Sequence, residues 1–158
     1  MAPSHVLLLA FGIGVIAGLR SLTAPAVVTW AAHRGGLNLH GTSLSFMGST
    51  AAVAIFTILA AVELVADQLP STPARTKAAG LIGRIVLGGL SGAAIALVGG
   101  RSSAVGGVLG AVGGVAGAFA GYQVRTGLVR ALKVPDFVIA VLEDLVAIAG
   151  ALFIVTRF

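Results

Sequence analysis

The chain has 158 residues, 58% hydrophobic and only 9% charged, where soluble domains carry about a quarter charged residues. A mean hydropathy of +1.08 excludes an ordinary water-soluble domain and implies an all-α, polytopic transmembrane bundle filling one domain, residues 1–158, with about five apolar segments. The net charge of +5 comes without a basic run interleaved with aromatics, so it reads as loop and head-group charge, with no nucleic-acid partner.

Segment one runs from His5 to Ala32 in two apolar parts, Val6 to Leu19 and Ala24 to Ala32. Each is short for a membrane span, which suggests a broken or re-entrant helix. Arg20, Ser21, Thr23 and Pro25 lie at the junction. Proline lacks a backbone donor and disfavours helix in the residue before it. Irregular backbone at membrane depth is tolerated only inside protein or beside water, so the break is expected to face the interior. The start resembles a secretory leader in its small residues but has no Lys or Arg before the apolar run, and retention is expected.

Segment two, Leu44 to Val62, is uncharged and is followed by Glu63, Asp67 and the loop "DQLPSTPART". Segment three spans Ala78 to Gly100 with Arg84 inside it. After the short turn at Arg101, segment four runs uncharged from Ser102 to Val124 and continues as the basic stretch "YQVRTGLVRALKVP". Segment five starts at Pro135 and Asp136, normal helix-start chemistry, and ends near Arg157. Arg75, Lys77, Arg125, Arg130 and Lys133 outnumber Arg34, Arg101 and Arg157. That count places the loops after segments two and four, together with the N-terminus, on the cytoplasmic side.

Segments one and two share an order with segments four and five: a broken or glycine-rich run, then a helix bearing acids. "ELVA" at Glu63 echoes "DLVA" at Asp144. Displacement by three segments would invert the second copy, a transporter signature. In segment four, Gly106, Gly110, Gly113, Gly117 and Gly121 fall on one helical stripe. Such a stripe lets backbones approach closely, against another helix such as segment three or against a second subunit. The expected assembly is therefore a homo-oligomer in the lipid bilayer.

The five acids are Glu63, Asp67, Asp136, Glu143 and Asp144. Glu143 and Asp144 lie near the middle of segment five, where an ionised acid costs on the order of 3 kcal/mol unless paired or hydrated. Adjacent residues point about 100° apart on a helix, so the two cannot face one narrow site equally. Arg20, Arg84 and Arg125 are the natural partners, since a guanidinium grips a carboxylate with two parallel hydrogen bonds. Arg20, Ser21, Thr23, Glu63, Asp67, Arg84, Glu143 and Asp144 are therefore the candidate solute- or ion-binding set. Tyr122, Gln123 and Arg125 are candidates for a gate or interfacial anchor. His5, His33 and His40 lie at ends or loops, with Trp30 as an aromatic anchor beside His33 and Arg34. Their spacing makes no metal cage, no catalytic triad or cofactor motif is visible, and the absence of cysteine excludes thiolate sites.

The blocks "AGLRSLTAPAVVTWAAHRG", "ELVADQLPSTPART", "GAFAGYQVRTGLVRAL" and "PDFVIAVLEDLVAIAG" stand in order along the chain, and the likeness they carry extends over nearly all of it. They resemble the bacterial integral membrane family DUF4126, a domain of unknown function. The resemblance implies a small multi-pass protein of the bacterial inner membrane and supplies no activity. The residues themselves point to a small transporter or channel, moving a small solute or ion through a mixed-charge polar centre with proton or cation coupling. The alternatives are an oligomeric scaffold or accessory subunit packed through its glycines, and a lipid-binding membrane protein or enzyme.

Overall fold

A computed structural model describes residues 3–67 and 77–158. Most of the "DQLPSTPART" loop, including Arg75, lies outside the described residues. The described chain forms six α-helices: α1 (Pro3–Leu19), α2 (Thr23–His33), α3 (Thr50–Ala66), α4 (Ala78–Val98), α5 (Ser103–Leu132) and α6 (Asp136–Val155). A 3₁₀ turn at Ser45–Gly48 precedes α3. Three of the helices, α4, α5 and α6, are long and apolar enough to cross a membrane; α1 and α3 are shorter apolar helices.

The expected break in segment one is present, because α1 stops at Leu19 and α2 starts at Thr23. Segment two begins later than its apolar run. Leu44 to Met47 enters the 3₁₀ turn, and Ser49 caps α3 by accepting the Ala52 N–H at 3.1 Å. This is ordinary N-cap chemistry, which overrides hydropathy at the boundary. Segment four is longer than expected. Its basic extension stays helical as far as Leu132, and Lys133, at φ 53°, ends α5 in the left-handed conformation.

The centre of the bundle is α1, α4 and α5. Helix α1 is apolar along its length, as a helix enclosed by others must be. Backbones meet directly along the glycine stripe. A methyl added at Gly113 would overlap the carbonyl oxygen of Phe11, and one added at Gly110 would overlap that of Gly88. The stripe from Gly106 to Gly117 is therefore taken up by α1 and α4 of the same chain. The same approaches give directions. Gly113 meets Phe11 while Gly117 meets Val15, so α5 runs parallel to α1; Gly110 meets Gly88 while Gly106 meets Gly92, so α4 runs antiparallel to α5. Gly150 faces Ile16 and Gly12 faces Ile154, which sets α6 antiparallel to α1.

Helix α2 turns back along α1. Its buried Ala24, Val28 and Ala32 join one core with Ala10, Ile13 and Ile16 of α1 and Ala147, Ala151 and Ile154 of α6. Ile139 and Ala140, buried nearer the start of α6, stand outside that core. Helix α3 then runs antiparallel to α2, since Trp30 Nε1 donates to Thr57 Oγ1 at 2.9 Å while Glu63 reaches Ser21. Arg34 stacks on Trp30 with its guanidinium carbon 4.8 Å from the ring centroid.

Two expectations change. Val6 packs beside Gly99, so the N-terminus sits at the end that holds Arg101, opposite the loops richest in bases. The fold-back of α2 adds one reversal to the chain and inverts the expected placement. The proposed match of segment one to segment four also fails in that form: a hairpin of α1 and α2 stands against one unbroken α5 running parallel to α1.

Candidate functional site

The reversal between α1 and α2 leaves helix ends in the interior, where unpaired backbone groups are costly. Both ends are met by charge. At the C-terminal end of α1, Arg84 Nε donates to the Gly18 carbonyl at 3.0 Å, and its Nη1 donates to the Gly80 carbonyl at 3.0 Å. At the start of α2, the Glu63 carboxylate accepts the backbone N–H groups of Ser21 and Leu22, each at 2.8 Å, and the Ser21 hydroxyl at 2.5 Å. A cation at a helix C-terminus and an anion at an N-terminus are the favourable signs for the helix dipole.

Arg20 occupies the turn itself and is completely buried. Its guanidinium pairs with Asp67, which ends α3, and with Asp144 of α6. A third contact runs to the Ala140 carbonyl at 3.5 Å. The Nε of Arg20 and the Oδ1 of Asp144 are buried against each other in an ion pair without hydrogen-bond alignment. Thr23 is buried at the first position of α2. Of the candidate set, Arg20, Ser21, Glu63, Asp67 and Asp144 thus meet at the turn, Arg84 holds the Gly18 carbonyl that precedes it, and Thr23 is buried at the start of α2. Within this set are two guanidiniums and three carboxylates.

Glu143 does not join the centre. It turns toward Arg125, with Oε2 3.6 Å from Nη1, and its side chain is 8% exposed. Arg125 also grips Asp136 through two bonds, Nε to Oδ1 at 2.9 Å and Nη2 to Oδ2 at 2.5 Å. Arg125 and Glu143, though not Asp136, border a cavity of about 300 Å³ between α5 and α6, walled otherwise by Gly121 and apolar residues that include Leu19 of α1. Tyr122 and Gln123 are exposed and line neither the centre nor this cavity. They stand as surface residues, since the helical turn that directs Gly121 and Arg125 inward directs their neighbours outward.

Sequence reasoning missed the backbone partners of the centre, the carbonyls of Gly18, Gly80 and Ala140, because main-chain acceptors carry no residue signature. It also missed Ser91, a fully buried hydroxyl on α4 without a hydrogen-bond partner among the described residues. A comparison with curated proteins and one with solved structures return no match. The family profile described as domain of unknown function (DUF4126) matches residues 7–157, nearly the whole chain, and the protein belongs to that family.

Proposed function

We propose that this is a small transporter of the bacterial inner membrane, moving a small solute or ion past the polar centre with coupling to a proton or cation. The observation that carries the reading is Arg20: a permanent charge, wholly buried at a helix reversal and shared between carboxylates on two different helices. Ionisable groups at membrane depth mark transport pathways more often than packing, and discontinuous helices with charged ends are a recurring feature of transporter sites. Alternation of direction adds support, because α1 to α3 and α4 to α6 form two three-helix sets of opposite sense. In this reading Asp67 and Asp144 exchange a proton or cation against Arg20, and movement of α3 relative to α6 changes which carboxylate holds the guanidinium.

A second reading, an oligomeric scaffold or accessory subunit, is favoured by one observation: the charges of the centre pair with groups of the chain itself. The glycine stripe is not its interface, so a scaffold would use the apolar outer faces.

The test is reconstitution in proteoliposomes on a solid-supported membrane, with steps of pH, alkali cations and small organic anions. Transport predicts a transient current that a folded Asp67→Asn, Asp144→Asn double variant loses. Wild-type current in that variant, or no current from the wild type under any step, overturns the proposal.

A further inference from the structure

The charges around the α1–α2 turn do not cancel. Among the described residues, Arg20 of the turn and Arg84 of α4 stand against Glu63 of α3, Asp67 at its end and Asp144 of α6. Helix α2 brings no charge until His33 and Arg34 at its far end. The neighbouring charges are Arg125 of α5 with Asp136 and Glu143 of α6, and these contact one another.

The excess falls on one guanidinium. Glu63 is fixed as an acceptor: Oε1 takes the N–H and hydroxyl of Ser21, and Oε2 takes the N–H of Leu22. A proton on either oxygen would lie against a backbone donor. Asp67 and Asp144 are placed differently. Asp67 meets Arg20 through Oδ2 on Nη1, and Asp144 meets it through Oδ1 on Nε, while Nη2 turns to the Ala140 carbonyl at 3.5 Å. Each acid thus has a second oxygen, Oδ1 of Asp67 and Oδ2 of Asp144, with no partner among the described residues. Their side chains are 16% and 11% exposed, so protons reach them although Arg20 is sealed.

One buried positive charge compensates one of these two carboxylates. A second, uncompensated carboxylate at membrane depth is costly, and a buried acid so placed takes up a proton rather than stay charged. Two acids facing one cation bind that proton as a pair. A metal cation answers the excess less well, since it needs several oxygens converging on it. The guanidinium already fills the contact with both acids and repels another cation. Among the described residues, no three acidic or histidine side chains are grouped to hold a metal ion.

We propose that Asp67 and Asp144 together bind one proton at neutral pH, one as a neutral acid and the other as the counter-ion of Arg20. In the transport reading, on which this clause alone rests, that proton is the coupled ion.

Infrared spectroscopy tests it on protein purified in dodecyl maltoside, a detergent without carbonyl groups. At neutral pH the wild type should show the carbonyl stretch of a protonated carboxylic acid. Heavy-isotope carbon in the aspartate side chains should lower its frequency, and so should heavy water. Asp67→Asn and Asp144→Asn should each abolish the band, because either leaves one carboxylate to one guanidinium. Asp67→Ser and Asp144→Ser stand in if an asparagine variant does not fold. Sodium, potassium or calcium chloride, added to the wild type at constant pH and ionic strength, should leave the band unchanged. No such band in the wild type, its persistence in either single variant, or its loss on adding a metal cation overturns the proposal. The band is read without flux, so its absence removes the bound proton and leaves transport to the current measurement. A missing current removes only the coupling.

Discussion

Glu63 holds Ser21 twice, accepting its backbone N–H at 2.8 Å and its hydroxyl at 2.5 Å. One carboxylate on α3 thereby closes the amino end of α2, a short helix that would otherwise begin with bare donors in an apolar surround. Glu63→Ala should destabilise the protein by about 1–3 kcal/mol, the usual penalty for buried donors left unsatisfied. Glu63→Gln keeps an acceptor and loses only the charge, so it should fall between alanine and the wild type. Titration with sodium dodecyl sulfate in mixed micelles measures both.

Arg20 and its two carboxylates should behave as a unit. Arg20→Met strands Asp67 and Asp144, and breaking a buried pair from one side costs about 3–5 kcal/mol. Adding Asp67→Asn and Asp144→Asn should recover most of that loss. Equal stability of the single and triple variants would show that the three groups are not coupled, and the same micelle titration decides it.

The glycines divide by surroundings. At Gly113 any side chain meets the backbone of α1, whereas nothing lies within 4 Å of a Cβ at Gly127. Gly113→Leu should abolish folded, monodisperse protein. Gly127→Ala should be tolerated, with a gain of up to about 1 kcal/mol from helix propensity. Size-exclusion chromatography with thermal unfolding separates the two outcomes.

Ser91 buries a hydroxyl with no partner among the described residues, and alanine fills nearly the same space. Ser91→Ala should raise stability by about 1 kcal/mol, the desolvation cost of the unsatisfied group. A loss of stability would mean that the hydroxyl is held by a group such as a buried water.

The polar centre was legible in the sequence because charge is conspicuous in so apolar a chain. Arg20, Glu63, Asp67, Arg84 and Asp144 stand out once most neighbours are Ala, Val, Leu and Gly. Glu143 was harder, since adjacency to Asp144 says that the two diverge and not which one turns inward. The fold-back of α2 was half legible: Pro25 and the short apolar parts announce a break, but a kink and a hairpin share that signature. Only packing decides, through Val28 and Ala32 sharing one core with Ala10, Ile13 and Ile154. The glycine stripe showed close contact without naming the partner, which is α1 as much as α4. The α5–α6 cavity was not legible at all, being a gap between two faces that each look like ordinary lipid-facing helix.

Helix α3 buries only Ala52, Val53 and Ala60, and turns Ile55, Ile58, Leu59, Val62 and Val65 outward. Its two ends are fastened by different means. The first is tethered by the short chain from the 3₁₀ turn, and the middle of the helix is held by the neutral bond from Trp30 to Thr57. The last is latched by Glu63 and Asp67 alone among its charged side chains, onto the turn that α1 and α2 share. Neutralising these two carboxylates releases the latch and leaves the tether intact. The helix is thus a lever with a neutral pivot and an ionic catch, and the catch closes on the fully buried Arg20 at the α1–α2 turn.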